Sequence, residues 1–458
     1  MKKSFLSSQA TPMIAPMTSI ALLTIGNELL DGRTINTNAA FFGEALQSLG
    51  LEVAESRCVP DTLEAIGEAL QELAVHSHVI VTGGLGPTSD DLTAVAAGLA
   101  FAAPCRFQPW AEREIRKTLR RIGFPYTKTQ KRQAFLPAHA KLIPNQWGIA
   151  PGFQMQVFKA QFYFLPGVPR ECRPMFEASI APKLRRIRGA KKLLKRSLWR
   201  CFGEREADLF QRIHPLIASA QKKYGANFDF SSQIPFPSVD IRVEFWQGKG
   251  KRVPSPREID SFCNKLTKKL EPITYSRVRE SLAAVVIRLL CEQNASLATA
   301  ESCTGGLLGE MLTDVPGASE VYLGGVISYA NSAKEKLLGV RAATLRRHGA
   351  VSHAVAQEMA NGARHTLQSD YSLSLTGVSG PGGGTAQKPV GTLFVGISDK
   401  VRTNSVHRLI LRSNGDRLQN RLFASFLALD MLRKLIQENQ EKTKGKKNGY
   451  RTDLRTIQ

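Results

Sequence analysis

The stretch Ala300-Glu301-Ser302-Cys303-Thr304-Gly305-Gly306 constrains the fold of this chain more than any other. A short apolar run, 295–300, enters it and a helical pattern, 307–312, leaves it, which predicts a strand, a tight turn and a helix. The same grammar recurs near the N-terminus. Residues 20–25 read as a strand that runs into Gly26-Asn27-Glu28, with a helix over 37–49, a strand over 51–58 and a helix over 62–73. Val79-Ile80-Val81-Thr82 is a buried-strand pattern entering Gly83-Gly84-Leu85-Gly86-Pro87-Thr88, then Asp90-Asp91 and a further helix. Strands alternating with helices indicate an α/β protein built on parallel sheets. Ligands of such sheets bind beyond the carboxyl ends of the strands, where Gly26 and residues 83–86 fall.

A serine on a strand-to-helix turn can act as a nucleophile, and the amides of the turn and first helical turn can face an oxyanion or phosphate. A plain β–α connection has the same local signals. The segments that follow decide between them. Gly325-Val326-Ile327-Ser328-Tyr329 reads as a strand and Ala330-Asn331-Ser332-Ala333-Lys334 opens a helix; then come Gly349-Ala350-Val351-Ser352, the glycine-rich 375–385 and Lys388-Pro389-Val390-Gly391-Thr392. From about 281 to 435 this succession resembles the C-terminal domain of the CinA family, whose activity is nicotinamide-nucleotide amidase. The resemblance implies Ser302 as nucleophile, with Tyr329 and Lys334 from a Tyr-x4-Lys pattern. The chemistry agrees. A serine needs a base, and the nearest histidines, His348 and His353, sit in a different loop. A desolvated lysine loses its proton readily, and serine–lysine pairs are a known variant of the triad. Tyr329 is expected to relay the proton or hydrogen-bond the serine; the plain alternative is a strand-end aromatic and a solvated lysine. Cys303, a rival nucleophile, is read as packing. Amides near Thr304, Gly305 and Gly306 are expected to hold the oxyanion. The loop carrying Thr376, Gly377 and Gly380 is expected to close over the site, and Arg421 to meet the substrate phosphate. The amidase needs no cofactor.

The words at 26–32, 35–38, 83–91, 148–152 and 165–169 resemble the N-terminal half of CinA proteins, which is similar to the molybdopterin-binding domain. Some family members hydrolyse ADP-ribose there with a divalent metal. That resemblance implies nucleotide contacts from Asn27, Glu28, Asn36, Asn38, Gly83, Gly84, Gly86 and Thr88. Asp90 and Asp91 are hard oxygen donors suited to Mg²⁺; alternatively Asp90 caps the next helix. Two positions depart from the family pattern. Ile149 replaces the hydroxyl residue of Gly-Thr-Ala-Pro-Gly, and Gly382 stands where an acid is usual.

Length sets two to four domains. We expect a three-layer parallel-sheet molybdopterin-binding-like domain at 18–180, a basic linker and small α/β module at 181–275, an α/β/α amidase domain at 276–440 and a basic disordered tail at 441–458. Seven scattered cysteines without a C-x-x-C pair fit reduced thiols in a cytoplasmic protein, with no disulfide framework or zinc site. Gln9, Pro12 and Pro16 interrupt any signal-peptide core, Met17 is an alternative start, and no run of eighteen apolar residues spans a membrane. The net charge of +23 concentrates in residues 183–200, with nine basic residues and no acid, read as a helix with a solvated basic face. Specific nucleic-acid binding is the lesser reading beside a basic surface on a protein with phosphorylated substrates. The whole is expected to be a homo-oligomeric, dimeric hydrolase converting nicotinamide mononucleotide to nicotinate mononucleotide and ammonia. Its rivals are a nucleotide-binding protein that has lost turnover and a basic nucleic-acid adaptor.

Overall fold

A computed structural model describes residues 19–187, 191–248, 252–400, 405–411 and 416–448, with side chains described to residue 440. The expectations for the N-terminal leader and start site, and for residues 449–458, lie outside the described residues. The chain divides into two compact units, Met1–Leu194 with Trp246–Val253, and Lys195–Phe245 with Pro254–Gln458.

The first unit holds β1 (Ile20–Ile25), β2 (Val53–Val59), β3 (His78–Thr82), β4 (Cys105–Phe107), β5 (Phe135–Pro137), β6 (Lys141–Ile143), β7 (Gly152–Val157) and β8 (Ala160–Leu165). Six of them form one sheet in the order β2-β1-β3-β8-β7-β6, and β4 pairs with β5. β1 is buried throughout, and β3 at every residue but His78, because both sheet faces are covered. Ala21, Leu23, Val79 and Val81 pack with Ile66 and Leu70 of the helix Leu63–Leu73. Ile20, Leu22 and Ile80 pack with Phe42 and Leu46 of the helix Thr37–Ser48. The three layers follow. The sheet is not wholly parallel, however: β7 runs antiparallel to β8, and β6 to β7. Only Phe158 and Lys159 join β7 to β8, too few for a crossover, so the chain turns back as a hairpin.

The second unit adds β9 (Lys192–Cys201), β10 (Phe228–Gln233), β11 (Val239–Gln247) and β12 (Thr274–Ser276), in the order β10-β11-β9-β12. A short helix, Ala181–Leu184, ends at the start of the basic run, while residues 192–200 of the run therefore lie in a strand and not in the expected helix. Its side chains alternate. Ser197, Trp199 and Cys201 are buried, while Arg196 meets Glu244 at 2.6 Å and Arg200 meets Asp240 at 3.0 Å. Period-two burial with acids waiting on the neighbouring strand wins over the helical spacing of its leucines.

β13 (Leu297–Glu301), β14 (Tyr322–Ile327), β15 (Tyr371–Gly377), β16 (Thr392–Asp399) and β17 (Ser405–Ile410) form the last sheet, ordered β14-β13-β15-β16-β17. The helices Leu282–Gln293 and Arg417–Asn448 cover one face, and His353–Leu367 covers the other. This α/β/α layering matches expectation. The final helix continues to Asn448, past the expected limit of 440.

The expected boundary at 275/276 cuts through a sheet and a core. β12 pairs with β9, and the buried Phe202 ring lies 5.2 Å from Phe423 and 5.7 Å from Phe426. Phe202→Ala is expected to cost about 3–5 kcal/mol, read from the urea midpoint of the second unit. A loss below about 1 kcal/mol would mean that the middle module and the last sheet are energetically separate.

Candidate active site on the serine turn

The turn is built by backbone bonds at the end of β13. Ser302 N–H donates to Leu375 O of β15 at 2.9 Å, and Ser328 N–H donates to Glu301 O at 2.8 Å. Gly305 at φ +59° and Gly306 at φ +98° take the left-handed conformations that let the chain enter the helix Leu307–Thr313 at once. The buried Glu301 carboxylate then accepts the amides of Gly306 (2.9 Å), Leu308 (3.1 Å) and Gly309 (2.8 Å). It supplies the negative charge that a helix start favours. The Gly306 amide is therefore spent, and is corrected from the expected oxyanion donors. The amides of Thr304 and Gly305 donate to no protein group among the described residues.

A Glu301→Gln protein presents an NH2 where an acceptor stood, leaving at least one buried amide unpaired. It should lose about 1–3 kcal/mol, seen as a lower melting temperature with a parallel loss of any turnover. Unchanged stability would remove Glu301 as the organiser of this turn.

Lys334 projects from the helix Asn331–Leu338 and is 1% exposed; Ser302 is 9% exposed. The lysine Nζ lies 3.0 Å from Ser302 Oγ, 2.6 Å from Ser328 O and 3.3 Å from Tyr329 O. No carboxylate is among these partners, and burial holds the ammonium below its ordinary pKa. In the neutral amine, two N–H groups satisfy the two carbonyls and the lone pair is left facing the serine hydroxyl.

Tyr329 does not stand where expected. Its carbonyl touches Lys334, but its side chain is 64% exposed and its hydroxyl accepts from Arg417 Nη2 at 3.1 Å. Arg417 Nη1 donates to Gly380 O at 3.0 Å, so this arginine ties Tyr329 to the glycine-rich loop. Sequence reasoning missed Arg417, which stands four residues before Arg421. Arg421 is itself reassigned: its Nε (3.0 Å) and Nη2 (2.5 Å) both hold Thr304 O, bracing the turn. Thr376 is buried, with its hydroxyl on Ala350 O at 2.9 Å, and so faces the neighbouring loop and not a ligand. Gly377 serves by close approach, since a Cβ there would lie 2.6 Å from Thr392 O and 3.4 Å from Cys303 Sγ. Burial pushes the Cys303 thiol up to about 11, so it stays protonated and unreactive near neutral pH. Gly382 borders open space, so an acid there would meet no clash.

In the first unit a cleft of about 960 Å³ opens at the strand ends, lined by Gly26, Glu28, Gly83, Gly84, Gly86 and Ile149 among others. Gly83, at φ +107°, has no room for a side chain: a Cβ would lie 2.2 Å from Ile25 O. Several expected ligand contacts hold the wall together instead. Asn36 caps the helix Thr37–Ser48 and donates to Thr24 Oγ1 at 2.9 Å. Asn38 is buried and donates to Gly167 O at 2.6 Å. Asn27 gives its amide to Asp61 at 2.8 Å. Asp61 was missed by sequence reasoning. Its carboxyl is raised by burial and then by the charges of Glu28, Asp90 and Asp91, which places these acids together on the cleft.

Asp91 accepts the Gly86 amide (2.6 Å) and both the amide (2.8 Å) and hydroxyl (2.6 Å) of Thr88. The exposed Asp90 carboxyl is lowered chiefly by the Thr88 hydroxyl. Asp90 caps nothing, since the next helix starts at Thr93 after Leu92. Among the described residues no group of His, Cys, Asp or Glu side chains is arranged to hold a metal ion. A divalent ion on Asp90 and Asp91 does not fit this donor set, because both Asp91 oxygens already serve the loop. No described helix is long and apolar enough to cross a membrane.

Residues 279–436 match the family model described as CinA C-terminal domain, and residues 21–186 match the one described as "Probable molybdopterin binding domain". A CinA-like protein of Geobacter sulfurreducens is 37% identical over 419 residues, covering 91% of this chain and 99% of the relative. A CinA-like protein of Parasynechococcus marenigrum is 36% identical over 422 residues, covering 88% and 98%. Among solved structures, the competence/damage inducible protein CihA from Agrobacterium tumefaciens is 34% identical, covering 34% of this chain and 97% of that one, with a TM-score of 0.32.

Proposed function

This chain belongs to the CinA family, and on that premise we propose that its C-terminal domain is an amidase that hydrolyses nicotinamide mononucleotide to nicotinate mononucleotide and ammonia. The observation that carries the reading is the buried pair, Lys334 Nζ at 3.0 Å from Ser302 Oγ, with two backbone carbonyls as the amine's other partners among the described residues. Neutral Lys334 takes the hydroxyl proton as Ser302 Oγ attacks the carboxamide carbon. The amides of Thr304 and Gly305 receive the charge on the carbonyl oxygen. Lys334 then returns the proton to the departing nitrogen, releasing ammonia and leaving an acyl ester on Ser302. Water, deprotonated by Lys334, opens the ester, and the proton goes back to Ser302. Arg417, through Tyr329 and Gly380, positions the loop beside the turn.

The test is ammonia release from nicotinamide mononucleotide by the full-length chain, with the carboxylate product identified by mass. Heat of binding without ammonia would replace the amidase by a nucleotide-binding protein, and neither signal would remove this substrate.

A second reading concerns the first unit. Its cleft has the volume of a small-molecule site and lies beyond the ends of parallel strands, which favours a nucleotide-like ligand such as ADP-ribose. Calorimetry with ADP-ribose checks it. Without measurable heat, the unit is a scaffold.

A further inference from the structure

On β9, Lys195, Arg196 and Arg200 meet Asp260, Glu244 and Asp240, whereas a different element carries several cations without such partners. On the helix Pro109–Ile122, Ala111, Ile115, Thr118 and Leu119 are buried. Arg113, Arg116, Lys117, Arg120 and Arg121 follow one another at i, i+3, i+4, i+7 and i+8, and all are exposed along a single face. Glu112 meets Arg116 at 2.9 Å, and Arg121 donates to Gln146 O at 2.6 Å. Arg113, Lys117 and Arg120 have no carboxylate partner among the described residues. Like charges four apart destabilise a helix, and of the five cations only Arg116 has a carboxylate partner, Glu112, among the described residues.

Exposed aromatic rings lie just beyond both ends of the helix. Phe124, just past the helix, is 65% exposed. Phe107 and Phe135 form an exposed edge-to-face pair at 5.7 Å, with Lys131 over the Phe107 ring at 5.5 Å. Lys128 and Arg132, also exposed, extend the positive surface through the same loop.

We propose that this face of the first unit, the Arg113–Lys117–Arg120 stripe with Phe124 and the Phe107–Phe135 pair, binds single-stranded nucleic acid. Cations in a row track a phosphate backbone, and accessible rings offer platforms on which unpaired bases stack. A duplex keeps its bases out of reach of such rings. A membrane needs an apolar helix face to insert, and here that face is buried in the protein's own core. The surface belongs to the first unit and the serine turn to the second, and the proposal does not depend on the amidase reading.

The test is fluorescence anisotropy of the full-length chain with a labelled oligothymidine of about 20 residues, alongside a duplex of equal length and vesicles of anionic phospholipid. The wild type should bind the single strand more tightly than the duplex. R113Q/K117Q/R120Q should weaken it at least tenfold and flatten the plot of log K against log salt by about 2, roughly 0.7 per lost phosphate contact. Its melting temperature should equal or exceed that of the wild type, since repulsion has been removed. That shows the variant is folded. Phe124→Ala should weaken single-strand binding about fivefold or more and leave duplex binding unchanged. The proposal is overturned if the wild type fails to bind at low salt, or if the triple variant binds as well. Equal duplex affinity with no Phe124 dependence, or a preference for vesicles, overturns it too.

Discussion

Ser302→Ala is expected to lower ammonia release by a factor on the order of 10⁴ or more, the scale seen when a nucleophile is removed from a constellation that works as a unit. The melting temperature should stay within a few degrees of wild type. The hydroxyl is not a structural link: the turn is held by the Ser302 amide on Leu375 O, by Glu301 on the helix amides and by Arg421 on Thr304 O. Cys303→Ala is the companion experiment. The thiol is buried, and burial holds it protonated up to about 11, so it cannot substitute as an attacking thiolate. Cys303→Ala should retain most of the turnover and lose some stability through packing, because Cys303 belongs to the core beneath the turn. The opposite pattern, with an inert Cys303→Ala and an active Ser302→Ala, would transfer the nucleophile to sulfur and defeat the assignment.

What could be read from the sequence divides by range. The strand–turn–helix units at β1, β3 and β13 were legible because apolar period, glycine and helix pattern all lie within a few residues of one another. Ser302 was legible for a related reason, since it sits at the strand end itself, whereas Lys334 came from the Tyr-x4-Lys pattern of the family resemblance and has no local mark that sets it apart from a solvated helix lysine. The direction of the Tyr329 ring was not legible. It is set by Arg417, 88 residues further along the chain, and the bracing role of Arg421 by a carbonyl 117 residues away. The basic run failed in the same way. Its leucines suit a helix, and the acids that hold residues 192–200 as a strand, Glu244 and Asp240, sit on β11 forty-eight and forty residues after their partners. Asp91 looked like a ligand because an exposed acid pair after a glycine loop has no local mark of its partners, and those partners proved to be Gly86 and Thr88 of the loop itself.

Lys334→Met is the sharper of the two expectations, because ionisation makes it a test in two directions. For activity, the base must be neutral. Wild-type kcat/KM should therefore rise with pH through the lowered lysine pKa and level off above it. Lys334→Met should lose on the order of 10³-fold or more, and so should Lys334→Arg, whose guanidinium stays charged across the range. For stability, the sign follows from proton counts. Burial lowers the pKa in the folded state, so the unfolded chain binds the extra proton between the lowered value and about 10.4. Wild-type stability thus climbs with pH across that window, is flat below it where both states are protonated, and carries no ionisation penalty above it. Methionine leaves Ser328 O and Tyr329 O without their donor at every pH, a constant cost. It also removes the pH-dependent penalty. The melting temperature of Lys334→Met minus that of wild type should therefore be most favourable to the variant near neutral pH and fall steadily as pH approaches 10. A difference that is flat in pH, together with a wild-type rate that does not rise with pH, would show that Lys334 carries no displaced proton equilibrium and cannot be the base that activates Ser302.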